Sequence, residues 1–368
     1  MILRRLSLIN YRNYESAEVE FSPRINVLVG ANGSGKTNLL DAVYYLSFTR
    51  SSRQPLDSLN VRQGQDHFSI RGEFETGHHG DTVSVALQPG SRKSVRVNGS
   101  EYTRLSDHIG KYPVVLADPD DVDLIREGGE IRRRFFDIII SQIDAVYLEN
   151  LMRYNNLLKQ RNGLLRMAGG RADQLALESY DSLMAQPAAY IYQQRKAFLG
   201  RFIPVFDGYF RFLVDEHETA SVEYVSGLDE MTLEEGMQRN RERDLVLQRT
   251  NFGVHRDDFR FLLGTSEMKK FGSQGQRKTM VIAMRLAQWD LIGTDKGFRP
   301  ILLLDDIFDK LDDHRIAKLL ELMRNAFGQL FVTDARPDRT AGLLRNAGGD
   351  GVGVSVYTVD QGTITLQQ

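Results

Sequence analysis

Three short stretches of this chain carry residues that can handle phosphate. The first is GANGSGKT, residues 30–37. It fits G-x-x-x-x-G-K-[ST], the loop whose backbone amides wrap a phosphate chain. Gly30, Gly33 and Gly35 let the backbone approach closely, and Ala31, Asn32 and Ser34 complete the cradle. Lys36 would reach the outer phosphates as a point charge, and the Thr37 hydroxyl would ligate Mg²⁺. The second stretch is FGSQGQRKT, residues 271–279, a flexible turn that enters a helix. Ser273, Gln274, Gly275 and Gln276 would make a second anion site, because a helix start exposes amides and the positive end of its dipole. The third is ILLLDDIF, in which four apolar residues, Ile301 to Leu304, end in two carboxylates. Asp305 can serve the Mg²⁺ shell beside a phosphate loop. Asp306, on the other side of a continuing strand, can face an attacking water. Lys36, Asp305 and Asp306 are therefore the candidate catalytic groups.

These groups need a scaffold, and the periodicity supplies one. RINVLV is a nearly continuous apolar run, as a strand covered on both faces should be, and TNLLDAVYYLSF after the loop is an amphipathic helix. LRRLSLIN, AEVEF, HFSIRGEF, TVSVALQ and KSVRVNG alternate as half-buried strands do, with turns at glycines and at Asn98-Gly99. From 119 to 249 helical periods dominate, with Pro187 and Pro204 expected to kink or divide the longest segment and Gly169-Gly170 expected to turn between helices. Strand–helix alternation returns at 250 and closes with a hairpin turning at Gln361-Gly362. The expected architecture is an α/β head built from both chain ends, 1–118 and 250–368. A mostly helical lobe, 119–249, is inserted, and no heptads are sustained long enough for a long coiled coil.

Composition narrows the function classes. The chain has 368 residues, 41% hydrophobic and 26% charged, an ordinary soluble mix. It has no cysteine, which removes disulfides and thiolate metal sites and fits a reducing cytoplasm. MILRRLSLINYRNYE is too charged for a signal peptide, and no apolar run approaches membrane-spanning length, so no membrane association is expected. The net charge of −2 draws in no nucleic acid globally. Residues 126–171, however, hold nine basic and five acidic side chains. Arg132, Arg133, Arg134, Lys159 and Arg161 in this stretch could neutralise phosphates without reading bases.

The order of phosphate loop, insertion, SQGQ, LLLDD and DKLD resembles the ABC-type ATPase heads, whose signature is S-G-G-Q or S-x-G-Q. In that family the signature faces the γ-phosphate held by a second subunit, so two heads clamp two ATP molecules. Within it, the chain is similar to the RecF family of bacterial recombination mediators. The likeness rests on LINYRNY, INVLVGANGSGKTNLLDAVYYLS, DPDDVDLIREGGEIRRRFFD, LLKQRN, HRDDFRF, SQGQ and LLLDDIFDKLD. It implies an ATP-dependent homodimer with Mg²⁺, acting on single-stranded/double-stranded or gapped DNA with RecO and RecR in repair, replication restart and the SOS response. It also implies weak, DNA-stimulated ATP hydrolysis. Asp306 stands where most ABC heads have glutamate, one methylene longer, which implies slow turnover. Thr333 and Asp334 stand where many heads have a histidine. Two rivals share the phosphate loop: the ATPase subunit of a membrane transporter, whose insertion would be shorter, and a small-molecule kinase, which would not need SQGQ.

Overall fold

The computed structural model describes residues 1–167, 173–214, 219–307, 313–326, 328–334 and 353–367. It divides into two compact units. The first comprises Met1–Asp121, Phe212–Asp215 and Lys278–Gln368, and the second Val122–Arg211 and Glu216–Arg277.

The first unit holds two six-stranded sheets. One is antiparallel, in the order β2-β1-β4-β5-β6-β7. Its strands are β1 (Ile2–Tyr11), β2 (Tyr14–Glu20), β4 (Phe68–Thr76), β5 (His79–Leu87), β6 (Ser94–Val97) and β7 (Ser100–Glu101). The β6–β7 turn at Asn98-Gly99 has positive φ at both residues, 51° and 81°, the left-handed geometry that matches strand twist in a two-residue hairpin. The other sheet runs β15-β14-β3-β13-β12-β8. Here β3 is Ile25–Val29, β8 Val114–Ala117, β12 Ile301–Leu304, β13 Leu330–Asp334, β14 Val354–Asp360 and β15 Thr363–Gln367. All pairs are parallel except the closing β14–β15 hairpin. Every residue of β3, β8, β12 and β13 is buried, as parallel strands covered on both faces require. Helices α1 (Lys36–Phe48) and α10 (Asp313–Ala326) follow the phosphate loop and β12.

Both chain ends therefore build one head, as the sequence implied. β3 lies between β13 and β14. Gln329, fully buried just before β13, accepts from the Leu3 amide at 2.7 Å and donates to Leu3 O and Ser22 O at 2.8 Å.

The second unit contains α2 (Asp123–Arg126), α3 (Gly129–Ile143), α4 (Ala145–Met167), most of α5 (Gln174–Val214), α6 (Leu233–Arg239), α7 (Arg241–Leu247) and α8 (Met268–Phe271). It also has a small sheet, β11-β10-β9, made of β9 (Ala220–Val225), β10 (Asp258–Leu263) and β11 (Ser266–Glu267). β10 pairs with β9 over six residues, which draws 250–277 into this unit rather than into the C-terminal head expected from sequence texture. The boundary falls inside α9 (Gln274–Lys296).

The two prolines do not divide α5, which runs unbroken for 41 residues. An interior proline forfeits one helix hydrogen bond and costs about 3 kcal/mol. Phe198, Phe202, Phe206 and Phe210 are buried along one stripe of that helix, and burying such side chains contributes about 1.5–3 kcal/mol each. Tertiary packing outweighs the local break. The expected turn at Gly169-Gly170 and the DKLD segment lie outside the described residues.

His108 is fully buried, and its Nε2–H donates to Leu46 O at 2.6 Å. Burial pushes its pKa down to about 4. The unfolded chain, with a histidine near 6.5, takes up the proton first, so stability falls as pH falls through this window. The loss should approach about 3 kcal/mol. Urea unfolding at pH 7 and pH 5 should show a steeper decline for the parent than for His108→Gln.

Candidate nucleotide site and basic surface

β3 ends at Val29, and the chain turns at Gly30 and wraps back to start α1 at Lys36. Gly33 and Gly35 adopt φ of 81° and 118°, a region costly for side chains. At Gly35 a Cβ would also meet Asn13 Nδ2 at 2.4 Å, and at Gly30 one would meet Val359 O at 2.2 Å. The loop is thus held between the β1–β2 turn and the β14–β15 hairpin. Asn13 Nδ2 donates to Ser34 O at 3.1 Å, Tyr14 OH to Gly35 O at 2.9 Å, and the Gly362 amide to Ser34 O at 3.3 Å. LINYRNY, read from sequence only as a mark of resemblance, is the brace of the phosphate loop.

Lys36 Nζ donates to Gly30 O at 2.8 Å and Ala31 O at 3.0 Å. Burial lowers its pKa, against the pull of Asp306, Asp305 and Asp334. Thr37 Oγ1 donates to Asp305 Oδ1 at 3.1 Å. The two residues lie at opposite ends of the chain and meet because β12 and β3 flank β13 in one sheet. A cavity of about 160 Å³ opens here, lined by Asn32, Gly33, Lys36, Thr37, Asp305, Asp306 and Thr333 among others. Hydroxyl and carboxylate oxygens beside an ammonium and loop amides suit a polyphosphate with a hard cation such as Mg²⁺, which keeps most of its waters and takes one or two protein oxygens.

Asp305 and Asp306 do not alternate along a strand. β12 stops at Leu304, and Asp306 has φ of 51°, a left-handed conformation rare outside glycine. Thr333, on β13, fixes both. Its hydroxyl donates to Asp305 Oδ1 at 2.7 Å and accepts from the Asp306 amide at 2.9 Å. One buried hydroxyl at the position noted for lacking histidine thus ties the Asp305 carboxylate to the backbone of its neighbour. Sequence reasoning also missed Arg53, whose Nη2 donates to Asp305 Oδ2 at 2.8 Å.

The second loop carries its own local logic. Ser273 Oγ accepts from the Gln276 amide at 3.1 Å, and Gln276 Oε1 accepts from the Ser273 amide at 2.9 Å. The pair is a reciprocal capping box, so S-x-G-Q is itself a helix start. Ser273 is exposed and Gly275 is partly so, and the Ser273 hydroxyl, accepting from Gln276, keeps its proton to donate.

The basic stretch separates into two classes. Arg161 is fully buried, donating to Asp181 and Asp244 at 2.8 Å and to Thr250 at 2.9 Å. Arg132, 7% exposed, grips Asp258 with both Nε and Nη2. Neither is open to a nucleic acid, and both are corrected to structural ion pairs of the second unit. Arg133 is half-buried and donates to Asp257 O at 2.6 Å. Arg134 and Lys159 are exposed. On α4, Asn155, Asn156, Lys159 and Arg166 recur at helical spacing on the exposed side.

A phosphate loop closing a parallel strand, a carboxylate brought to its threonine from the far end of the chain, and a capped S-x-G-Q helix define an ABC-type ATPase head of the SMC kind. The same kinship emerges by comparison. Residues 2–348 match the RecF/RecN/SMC N terminal domain family. The chain is 42% identical to a Cytophaga hutchinsonii protein named DNA replication and repair protein RecF, over 99% of this chain and 96% of that one. It is 42% identical to the protein of the same name from Bacteroides thetaiotaomicron, over 99% and 98%. The structure of the recombination mediator protein RecF-ATP in the RecFOR pathway superposes with a TM-score of 0.89 at 26% identity, covering 100% of this chain and 98% of that one. An Smc head domain from Pyrococcus furiosus shares the fold, with a TM-score of 0.57 at 17% identity, covering 100% and 96%. The chain belongs to the RecF family of DNA replication and repair proteins. That assignment displaces the transporter and kinase readings. Among the described residues no helix is long and apolar enough to cross a membrane.

Arg161→Ala would leave the Asp244 carboxylate in the interior without its ion-pair partner and Asp181 with Arg241 alone. Breaking a buried pair from one side costs about 3–5 kcal/mol. The midpoint of urea-induced unfolding should fall accordingly, whereas Lys159→Ala should leave it nearly unchanged.

Proposed function

We propose that the chain is an ATP-gated, DNA-binding homodimer that hydrolyses ATP slowly and acts in the cytoplasm, at gaps and single-strand/double-strand junctions. In this reading it works with RecO and RecR to load recombinase, in recombinational repair, replication restart and SOS induction. The observation that carries the reading is the 3.1 Å contact between Thr37 and Asp305, which joins a phosphate loop to a metal carboxylate. The RecF–ATP structure supports ATP as the nucleotide.

The roles follow from the chemistry. Amides of residues 30–35 wrap the phosphates, Lys36 neutralises the outer ones, and Thr37 and Asp305 hold the Mg²⁺ shell. Mg²⁺, when bound, neutralises charge on the phosphate oxygens and orients them. Asp306 orients the attacking water, and its short side chain accounts for slow turnover. Ser273, Gln274, Gly275 and Gln276 offer an exposed, capped helix start to the γ-phosphate held by a second copy. Each ATP is then sandwiched between the loop of one chain and the signature of the other, and dimerisation depends on nucleotide. For DNA the supporting surface is the exposed side of α4 with Lys159 and Arg166, together with Arg134. These are contacts to the phosphate backbone that carry no sequence information.

Thr333→Val should lower kcat by about tenfold or more while KM changes less, because orientation is lost and phosphate binding is kept. Thr333→Ser should recover most of the rate. ATP turnover across substrate concentrations measures both.

Mixing two mutants tests the shared site. Lys36→Met breaks the loop half, and Ser273→Arg breaks the signature half. Either homodimer has two broken sites. A mixed dimer has one doubly broken site and one intact site, so turnover should rise on mixing, to roughly half of one dimer's activity per mixed dimer if the sites act independently. A signature that served its own chain's ATP would leave every site defective, and mixing would restore nothing. Dimerisation of the mixture, followed by light scattering with ATP and DNA present, separates that outcome from sites that must fire together.

A further inference from the structure

Asp305 is 3% exposed, and a buried carboxylate needs compensation for the water it loses. Its Oδ1 accepts from two neutral hydroxyls, Thr37 and Thr333. Its Oδ2 accepts from Arg53 Nη2 at 2.8 Å, a charge-assisted bond and the principal electrostatic compensation in the contact set. The same guanidinium reaches Asp118 and Asp120 at 3.3 Å, so one cation serves three carboxylates.

Arg53 is held there by design of the local chain. Ser51 Oγ accepts from the Arg53 amide at 3.0 Å and from the Gln54 amide at 2.9 Å, and donates to Asp41 Oδ2 at 2.9 Å. Asp41 lies one turn beyond Thr37 on α1 and takes further bonds from Tyr11, Arg12 and Ser52. One helix therefore fixes both Thr37 and the turn that presents Arg53, and both converge on Asp305. In the chain as it stands, the charge a divalent cation would bring to Asp305 is already supplied by an arginine.

We propose that Arg53 is a positioning residue that serves as the resident counter-cation of Asp305, keeping divalent cations out until nucleotide phosphates bring one in. The proposal rests on the nucleotide-site reading above. A guanidinium stays protonated throughout the accessible pH range and holds its fork rigidly, so it can be displaced from Asp305 Oδ2 only by a stronger charge. A cation held by phosphates supplies that charge, and a free cation, which must first shed tightly held water, does not. Metal entry is thereby tied to nucleotide entry. When the cation arrives, Arg53 retains Asp118 and Asp120.

The test uses Mn²⁺ alone as the probe, with the full-length chain free of nucleotide and free Mn²⁺ followed by electron paramagnetic resonance. The parent and Arg53→Lys should bind little. Arg53→Gln should bind one ion with affinity increased about tenfold or more, and adding Asp305→Asn to that chain should abolish the gain. Equal Mn²⁺ affinity in the parent and in folded Arg53→Gln, with folding checked by circular dichroism, would overturn the proposal. Arg53→Met is the second neutral variant. If neither neutral chain folds, Arg53 is a structural strut and the proposal fails. Binding of a fluorescent ATP analogue to the parent tests the nucleotide reading on its own, since the Mn²⁺ measurements contain no nucleotide.

Discussion

A single carboxylate holds the site together. Asp305 receives Thr37 from the phosphate loop, Thr333 from β13 and Arg53 from the segment after α1. These donors come from three separate parts of the chain, and none is near Asp305 in sequence. Because Asp305 is buried, the energy of leaving it unpaired enforces the arrangement. The left-handed turn at Asp306 is part of the same arrangement, since its amide is held by the hydroxyl that holds Asp305. Backbone strain of this sort persists where surroundings over-determine it.

The phosphate loop is rigid for a related reason. Its glycines are close-packed as well as conformationally special, with Val359 against Gly30 and Asn13 against Gly35. A loop braced on two sides presents its amides without first having to order itself, which is how a site avoids spending binding energy on its own conformation. The signature has a comparable economy, because its serine and second glutamine close the helix end by themselves.

Much of this was legible in the sequence wherever the cause is local. The glycine spacing of 30–37, the apolar runs ending at Val29 and Leu304, and the Asn98-Gly99 and Gln361-Gly362 turns each carry their reason within a few residues. What was not legible depends on partners brought from afar. A count of charges over 126–171 treats Arg132 and Arg161 like Lys159, yet Asp258, Asp181 and Asp244 neutralise the first two in the interior. Arg53 has no motif and Thr333 is marked in sequence only as a position lacking the usual histidine, because the meaning of both lies in Asp305. The prolines of α5 break a helix by local rules, and an aromatic stripe overrides them. The unit boundary was misjudged because β9 pairs with a strand beyond residue 249.

The position of β3 has a consequence for how the protein is made. INVLV is complete once residue 29 has been synthesised, but both strands that flank it, β13 and β14, lie about 300 residues or more further along the chain. At elongation rates of about 5–20 residues per second, roughly 15–60 s separate the strand from its neighbours. Throughout that interval a largely apolar segment with two open edges is attached to the ribosome, the kind of surface that chaperones recognise and that aggregates if left alone. The second unit, whose elements are contiguous apart from the short piece at 212–215, can fold in the meantime. The strands that complete the sheet around the phosphate loop are therefore made long after the loop itself.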